Sequence, residues 1–214
     1  VFVSFENFLT PPTVYALGNG LPRALKSLPP RFDPKGLSVE QSQAVSADGT
    51  RVPYFLVSRG SAPRDGSLPL ILYGYGGFES SESPEYIAAA GKAWLERGGA
   101  YAVANIRGGG EFGPAWHQAA LTVNRQRAYD DFIAVAEDLL RRKVTSPRRL
   151  GIYGGSNGGL LVGAVAIQRP DLFGAVACAV PLLDMLRYHK LLAGASWMGE
   201  YGNPDDPAMA EVLR

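Results

Sequence analysis

The stretch from Leu150 to Leu161 reads LGIYGGSNGGLL and decides the fold. An apolar run typical of a strand leads through a glycine-rich turn, centred on Ser156, into a second apolar run typical of a helix. Glycines allow the chain to turn sharply there, which lifts the serine hydroxyl clear of the backbone. The N–H of Asn157 then points to where an oxyanion would form. The turn therefore predicts a nucleophilic serine on a strand-to-helix elbow.

A glycine-rich turn of this kind could also be a phosphate-binding loop or a purely structural loop. A phosphate-binding loop would end in Gly-Lys-Ser or Gly-Lys-Thr, and the turn around Ser156 contains no lysine. A glycine-rich structural loop remains open on the local sequence. The flanking strand and helix patterns favour the nucleophile.

Composition limits the possible functions. The chain has 214 residues, of which 46% are hydrophobic and 19% charged, so it can bury one sizeable core. Its formal net charge of +1 gives no reason to expect nucleic acid or a membrane surface as a partner. We expect a monomer in the cytoplasm, with the periplasm as the alternative. The single cysteine, Cys178, lies in an apolar run, which predicts a small buried side chain in a strand.

The first forty residues differ from the rest. Val1 to Phe5 and Thr13 to Leu17 are short β-like runs, and the prolines that follow favour a linker. The chain starts without Met or a signal-peptide pattern, so we expect the interior of a longer protein. Residues 39–45 and 52–57 flank a turn and predict a hairpin, and Leu68 to Tyr73 predicts a buried strand.

Helices and strands alternate after the hairpin. The patterns predict helices over 84–96, 128–142 and 157–169, and strands over 100–106, 150–153 and 175–180. The strands are uniformly apolar, which is typical of a sheet covered by helices on both faces, and the helix after Ser156 is apolar almost all round. With the serine elbow, this order predicts an α/β-hydrolase fold.

A general base for the serine is missing from the expected places. In an α/β-hydrolase the order is Ser, then Asp or Glu, then His, whereas His117 precedes Ser156 and His189 follows it too soon. Asp184 is also too early to be the acid. We therefore expect structural or surface roles for the two histidines, a fold truncated at its C-terminal side, and an acid and base beyond Arg214.

Five segments carry a family resemblance. They are YGYGGF (73–78), ANIRGGGEFG (104–113), TSPRRL (145–150), GGSNGGLL (154–161) and QRPDLFG (168–174). In this order and spacing they resemble the catalytic domain of the prolyl oligopeptidase family, from about Val39 to the end. Residues 1–12 resemble the last strands of the β-propeller that precedes that domain. The resemblance implies a propeller end and linker over 1–38 and a partial peptidase domain over 39–214.

The resemblance also implies an activity and a site. The family hydrolyses short peptides on the C-terminal side of proline through an acyl-enzyme. No metal or cofactor is expected, because the sequence has no clustered His or Cys ligand pattern. Ser156 would be the nucleophile, and the oxyanion would be held by the N–H of Asn157 and the hydroxyl of Tyr75. An aromatic pocket for the proline ring would be formed by Phe78, Trp197, Tyr201 and Leu182.

Three alternatives remain at this point. A related oligopeptidase that cuts after basic residues shares the fold, although acidic residues would then be expected in the pocket. An esterase or lipase would use the same serine on esters. A non-catalytic module is the third, and we expect little or no activity from the 214 residues alone because a serine without a base is a weak nucleophile.

Overall fold

A computed structural model describes residues 1–18 and 20–214 of the chain. The strands are β1 (Phe2–Asn7), β2 (Thr10–Ala16), β3 (Arg23–Ser27), β4 (Leu37–Val45), β5 (Arg51–Arg59), β6 (Leu70–Gly74), β7 (Ala100–Ala104), β8 (Leu150–Gly155) and β9 (Ala175–Ala179). The helices are α1 (Ala88–Ala93), α2 (Pro114–Gln118), α3 (Gln126–Arg141), α4 (Asn157–Gln168), α5 (Met198–Tyr201) and α6 (Pro207–Leu213).

The strands form two sheets. The antiparallel sheet β1-β2-β3 precedes a mixed sheet in the order β4-β5-β7-β6-β8-β9. In the mixed sheet β4, β5 and β7 pair antiparallel, whereas β6 pairs parallel with β7 and β8, and β8 with β9. The predicted hairpin and the predicted switch to β-α alternation are both confirmed.

The main core lies between one face of the mixed sheet and helices α3 and α4. Leu72 of β6 and Ile152 of β8 pack in one cluster with Phe132 of α3 and Leu161 of α4. Helix α3 presents an apolar face at helical spacing, as its sequence predicts. Strand β8 and helix α4, which flank the turn at Ser156, are therefore both anchored in this core.

The second face of the sheet is covered only in part. Phe8 and Phe32 of the N-terminal segment pack there with Leu95, Tyr101 and Val103. Towards β8 and β9 this face is open, and the β9 side chains are largely exposed. The prediction that helices cover both faces is therefore wrong for this edge in the part of the chain described.

The predicted helix over 84–96 is shorter than expected. Only Ala88–Ala93 is α-helical, followed by a 3-10 turn over Leu95–Arg97. Tertiary contacts hold the preceding residues in an irregular path: the Tyr86 ring stacks on Phe32 at a centroid distance of 5.3 Å, and the Tyr86 N–H donates to Glu6. These contacts override the local helical preference.

Other differences concern exposure. Cys178 lies in β9 as predicted, but its side chain is exposed because the sheet edge is open there, so the prediction of a buried cysteine is wrong. Helix α4 is buried along its first half, whereas Ile167 near its end is 82% exposed. Among the described residues, no helix is both long and apolar enough to cross a membrane.

Candidate active site

Ser156 lies at the predicted elbow between β8 and α4. Its φ of 55° and ψ of −116° place it in a conformation that non-glycine residues rarely adopt. A Cβ atom on Gly154 would lie 2.1 Å from the Gly158 carbonyl oxygen, so only glycine allows this close approach. The elbow leaves Ser156 exposed at the N-terminus of α4.

The two predicted oxyanion donors lie next to this serine. Asn157 is the first residue of α4, where backbone N–H groups have no acceptor within the helix. Tyr75 directly follows β6, the neighbour of β8 in the sheet, and is half-buried. Burial raises the pKa of the Tyr75 phenol above its ordinary value, and the hydrogen bond with the Ser156 side chain offsets only part of this rise. The phenol is therefore protonated near neutral pH and can donate a hydrogen bond.

The loop after Tyr75 packs directly on the start of α4. A Cβ atom on Gly77 would lie 2.5 Å from the Asn157 side-chain nitrogen, so the absence of a side chain at Gly77 permits this contact. The same Asn157 nitrogen donates to the Tyr75 carbonyl oxygen at 2.6 Å. The side chain of Asn157 thus ties the loop to the elbow.

The predicted pocket residues are brought together. Leu182, Trp197 and the fully buried Tyr201 belong to one apolar cluster. Phe78, which is partly exposed, meets the Tyr201 ring edge-on at a centroid distance of 5.7 Å. The hydroxyl of Tyr201 donates to Asn157 Oδ1 at 2.7 Å, so the pocket is joined to the elbow through this bond.

Three polar residues beneath this site were missed as functional candidates. Glu200 and Arg125 are almost completely buried and form an ion pair of 3.0 Å, and His117 Nε2 lies 2.8 Å from Glu200. The sequence holds one signal, a lone carboxylate within the segment WMGEY at 197–201. The sequence predicts only a structural or surface role for His117.

The remaining candidates for an acid or a base lie near other residues. His189 Nε2 lies 3.2 Å from Asp205, and Asp184 accepts a hydrogen bond of 2.7 Å from Arg187. Within the described part of the chain, no hydrogen bond joins Ser156 to a histidine. The arrangement places Ser156 beside the predicted oxyanion donors Asn157 and Tyr75.

A mixed sheet with a serine on the elbow between a parallel strand and the following helix defines the α/β-hydrolase fold. The model of the prolyl oligopeptidase family matches residues 88–212. The chain is 57% identical over its whole length to an uncharacterized peptidase, y4nA, of Sinorhizobium fredii, and 41% identical to a prolyl endopeptidase of Elizabethkingia miricola. The chain belongs to the prolyl oligopeptidase family.

Solved structures agree with this assignment. A post-proline cleaving enzyme from Rickettsia typhi is 45% identical and superposes with a TM-score of 0.92 over 99% of this chain. The chain covers 31% of that structure, 30% of the Sinorhizobium peptidase and 31% of the Elizabethkingia enzyme. It therefore spans about a third of the length of these relatives.

Proposed function

We propose that the complete protein is a serine endopeptidase that hydrolyses short peptides on the C-terminal side of proline. The observation that carries the proposal is the position of Ser156 at a strained elbow, between the free N–H of Asn157 and the half-buried Tyr75. The names of its relatives, a prolyl endopeptidase and a post-proline cleaving enzyme, support the choice of substrate.

The proposed reaction is a two-step acyl transfer. The Ser156 oxygen attacks the carbonyl carbon of a proline residue, and its proton passes to a general base. The Asn157 N–H and the Tyr75 hydroxyl stabilise the negative oxygen of the tetrahedral intermediate. The C–N bond then breaks, the base returns the proton to the leaving amine, and water releases the peptide that ends in proline. Neither step requires a metal or a cofactor.

Proline selectivity would come from apolar contact in the pocket. The rings of Phe78 and Trp197 offer flat surfaces to a pyrrolidine ring, and Leu182 adds an aliphatic wall. The Tyr201 hydroxyl is hydrogen-bonded to Asn157, so the Tyr201 ring would act as a rigid support behind Phe78. The pocket residues named here carry no charge, which favours proline over a basic side chain.

The general base is proposed to come from outside these residues. His117 and His189 already face Glu200 and Asp205, and the chain spans about 30% of the length of the Sinorhizobium relative. We therefore propose that the 214 residues alone turn over a prolyl substrate slowly or not at all. We further propose that 1–38 is the end of a propeller with its linker, and that 39–214 is part of a peptidase domain.

The role of Ser156 is testable with a fluorophosphonate probe on the complete gene product. We expect the probe to label one serine and the labelling to be lost in Ser156→Ala. Labelling should be retained in the matched variant Ser61→Ala, which alters an exposed serine in the turn after β5. Labelling of Ser156→Ala at the wild-type level would refute the nucleophile.

Substrate class is tested separately with a Gly-Pro anilide and a short acyl ester. We expect a higher kcat/KM on the prolyl amide than on the matching alanyl amide. Efficient turnover of the ester with no cleavage of the prolyl amide would favour an esterase and refute the proposed substrate.

A further inference from the structure

A single buried carboxylate contacts both halves of the candidate site. The side chain of Glu200 is 4% exposed, and its Oε1 accepts from the Phe78 backbone N–H at 3.0 Å and from Arg125 Nη1 at 3.0 Å. Its Oε2 lies 2.8 Å from His117 Nε2. The Phe78 bond spans 122 residues of sequence, so it is a purely tertiary restraint on the loop after β6.

Arg125 extends this contact to the elbow. Its Nη2 donates to Asn157 Oδ1 at 2.5 Å, and the Asn157 amide nitrogen donates to the Tyr75 carbonyl oxygen at 2.6 Å. The loop from Tyr75 to Phe78 is therefore held at both ends, at one end by Asn157 and at the other by Glu200. Arg125 joins the two restraints because it bonds to both.

The loop needs restraint because its backbone is strained. Phe78 and Glu79 both have φ of 55°, in the left-handed region that is unfavourable for non-glycine residues. Such conformations persist only where surrounding bonds enforce them. The bond from the Phe78 N–H to Glu200 acts directly at one of these two residues.

We propose that Glu200 is a positioning residue that holds the oxyanion donor Tyr75 and the pocket wall Phe78 in one rigid unit. The inference rests on the proposed function of these two residues. Glu200 itself touches neither substrate nor Ser156 in this role; it acts through the loop and through Arg125. Its carboxylate also accepts a hydrogen bond from the buried Arg125 guanidinium, which in turn holds Asn157.

The length of the Glu200 side chain provides the main test. Glu200→Asp keeps the charge but withdraws the carboxylate by one methylene, so it cannot reach Phe78 and Arg125 together. Glu200→Gln keeps the length, and its carbonyl oxygen can still accept both bonds. In the complete gene product we expect kcat on a prolyl amide to fall about 100-fold in the Asp variant and at most about tenfold in the Gln variant.

A matched control separates position from general stability. Asp138 of α3 is also a buried carboxylate, bonded to the Tyr54 hydroxyl at 2.6 Å, but its partners lie on the scaffold. We expect Asp138→Asn to lower the melting temperature and to leave kcat within about threefold of wild type. A loss of kcat in Asp138→Asn equal to that in Glu200→Asp would overturn the proposal, as would a Gln variant slower than the Asp variant.

Two further measurements test the positioning role of Glu200 independently. If Glu200→Asp does not fold, Arg125→Lys is tested in its place, because one ammonium group cannot reproduce both guanidinium bonds. A wild-type kcat in Arg125→Lys would overturn the proposal.

Hydrogen exchange at the Phe78 amide tests the restraint without any measurement of activity. We expect faster exchange in Glu200→Asp than in wild type, and unchanged exchange would refute the positioning role even if Ser156 proved not to be a nucleophile.

Discussion

Two arginine side chains, Arg107 and Arg125, are buried to the same extent, with 6% of each exposed, but they join different parts of the molecule. Arg107 bonds to the fully buried Asp131 of α3 and to Asp48 in the hairpin turn between β4 and β5. Arg125 bonds to Glu200 and Asn157, beside the candidate site. The same buried ion-pair chemistry therefore stabilises the scaffold in one place and the site geometry in the other.

Burial alone does not reveal whether an ion pair stabilises the scaffold or positions the site. Both pairs remove charge from water, and losing one partner of either leaves an uncompensated buried charge. The difference lies in what the partners are attached to. Asp131 fixes a helix against a loop, whereas Glu200 fixes a strained loop against the nucleophile elbow.

Asp131→Ala has the largest expected effect on stability. It leaves the buried Arg107 with Asp48, which is half-exposed, as its one remaining charged partner, and we expect the free energy of unfolding in urea to fall by about 3–5 kcal/mol. Asp48→Ala is the matched variant on the same arginine, with an expected loss of about 1 kcal/mol because Asp48 is solvated. Equal losses of unfolding free energy in the two variants would show that the buried ion pair contributes no more to stability than the exposed one.

Tyr75→Phe should show the opposite pattern, with a large effect on rate and a small one on stability. Removing one oxyanion donor typically costs about 100-fold in kcat. We expect that loss for a prolyl amide, with the melting temperature almost unchanged. Tyr153→Phe, on the partly exposed tyrosine of β8, is the control and should keep the wild-type kcat. A wild-type kcat in Tyr75→Phe would remove Tyr75 from the proposed oxyanion site.

The sequence predicts the parts of the molecule that depend on local patterns. The elbow at Ser156, the hairpin before β6 and the β-α alternation are all found, since glycine spacing and apolar periodicity act over a few residues. The exposed strand β3 was not predicted, because its residues, RALKS, lack both alternation and strong strand formers. Residues 84–87 failed as a helix because contacts with the N-terminal segment hold them.

The network under the site lay beyond sequence reasoning for a different reason. Arg125 meets Asn157 across 32 residues and Glu200 meets Phe78 across 122, and no periodic pattern links such positions. A lone charge in an apolar segment is the available signal, and it does not identify its partner. The candidate nucleophile and oxyanion donors could be predicted from the sequence and the family resemblance; the residues that orient them could not.

A second carboxylate, the half-buried Glu82, sharpens the comparison because it faces other acids, whereas the buried Glu200 faces Arg125. Burial, reinforced by Glu111 and Glu85, raises the pKa of Glu82 from 4.5 to about 7. The folded protein thus binds this proton more tightly than the unfolded chain. The stabilising effect of the protonated carboxyl is complete below about pH 4.5 and is lost as the pH rises through 7.

Glu82→Gln has the smallest expected effect and depends on pH. A neutral amide avoids the cost of ionisation, so we expect the variant to be more stable than wild type by about 1 kcal/mol at pH 8, a value reduced for partial exposure, and equally stable at pH 4. Melting temperatures across this range measure the difference. Glu85→Gln removes one of the acids that raise the pKa of Glu82, so it should weaken the pH dependence without abolishing it. If Glu82→Gln followed the wild-type curve at every pH, Glu82 would have to be ionised at no cost in the folded protein, and the contrast with the arginine-paired Glu200 would fail.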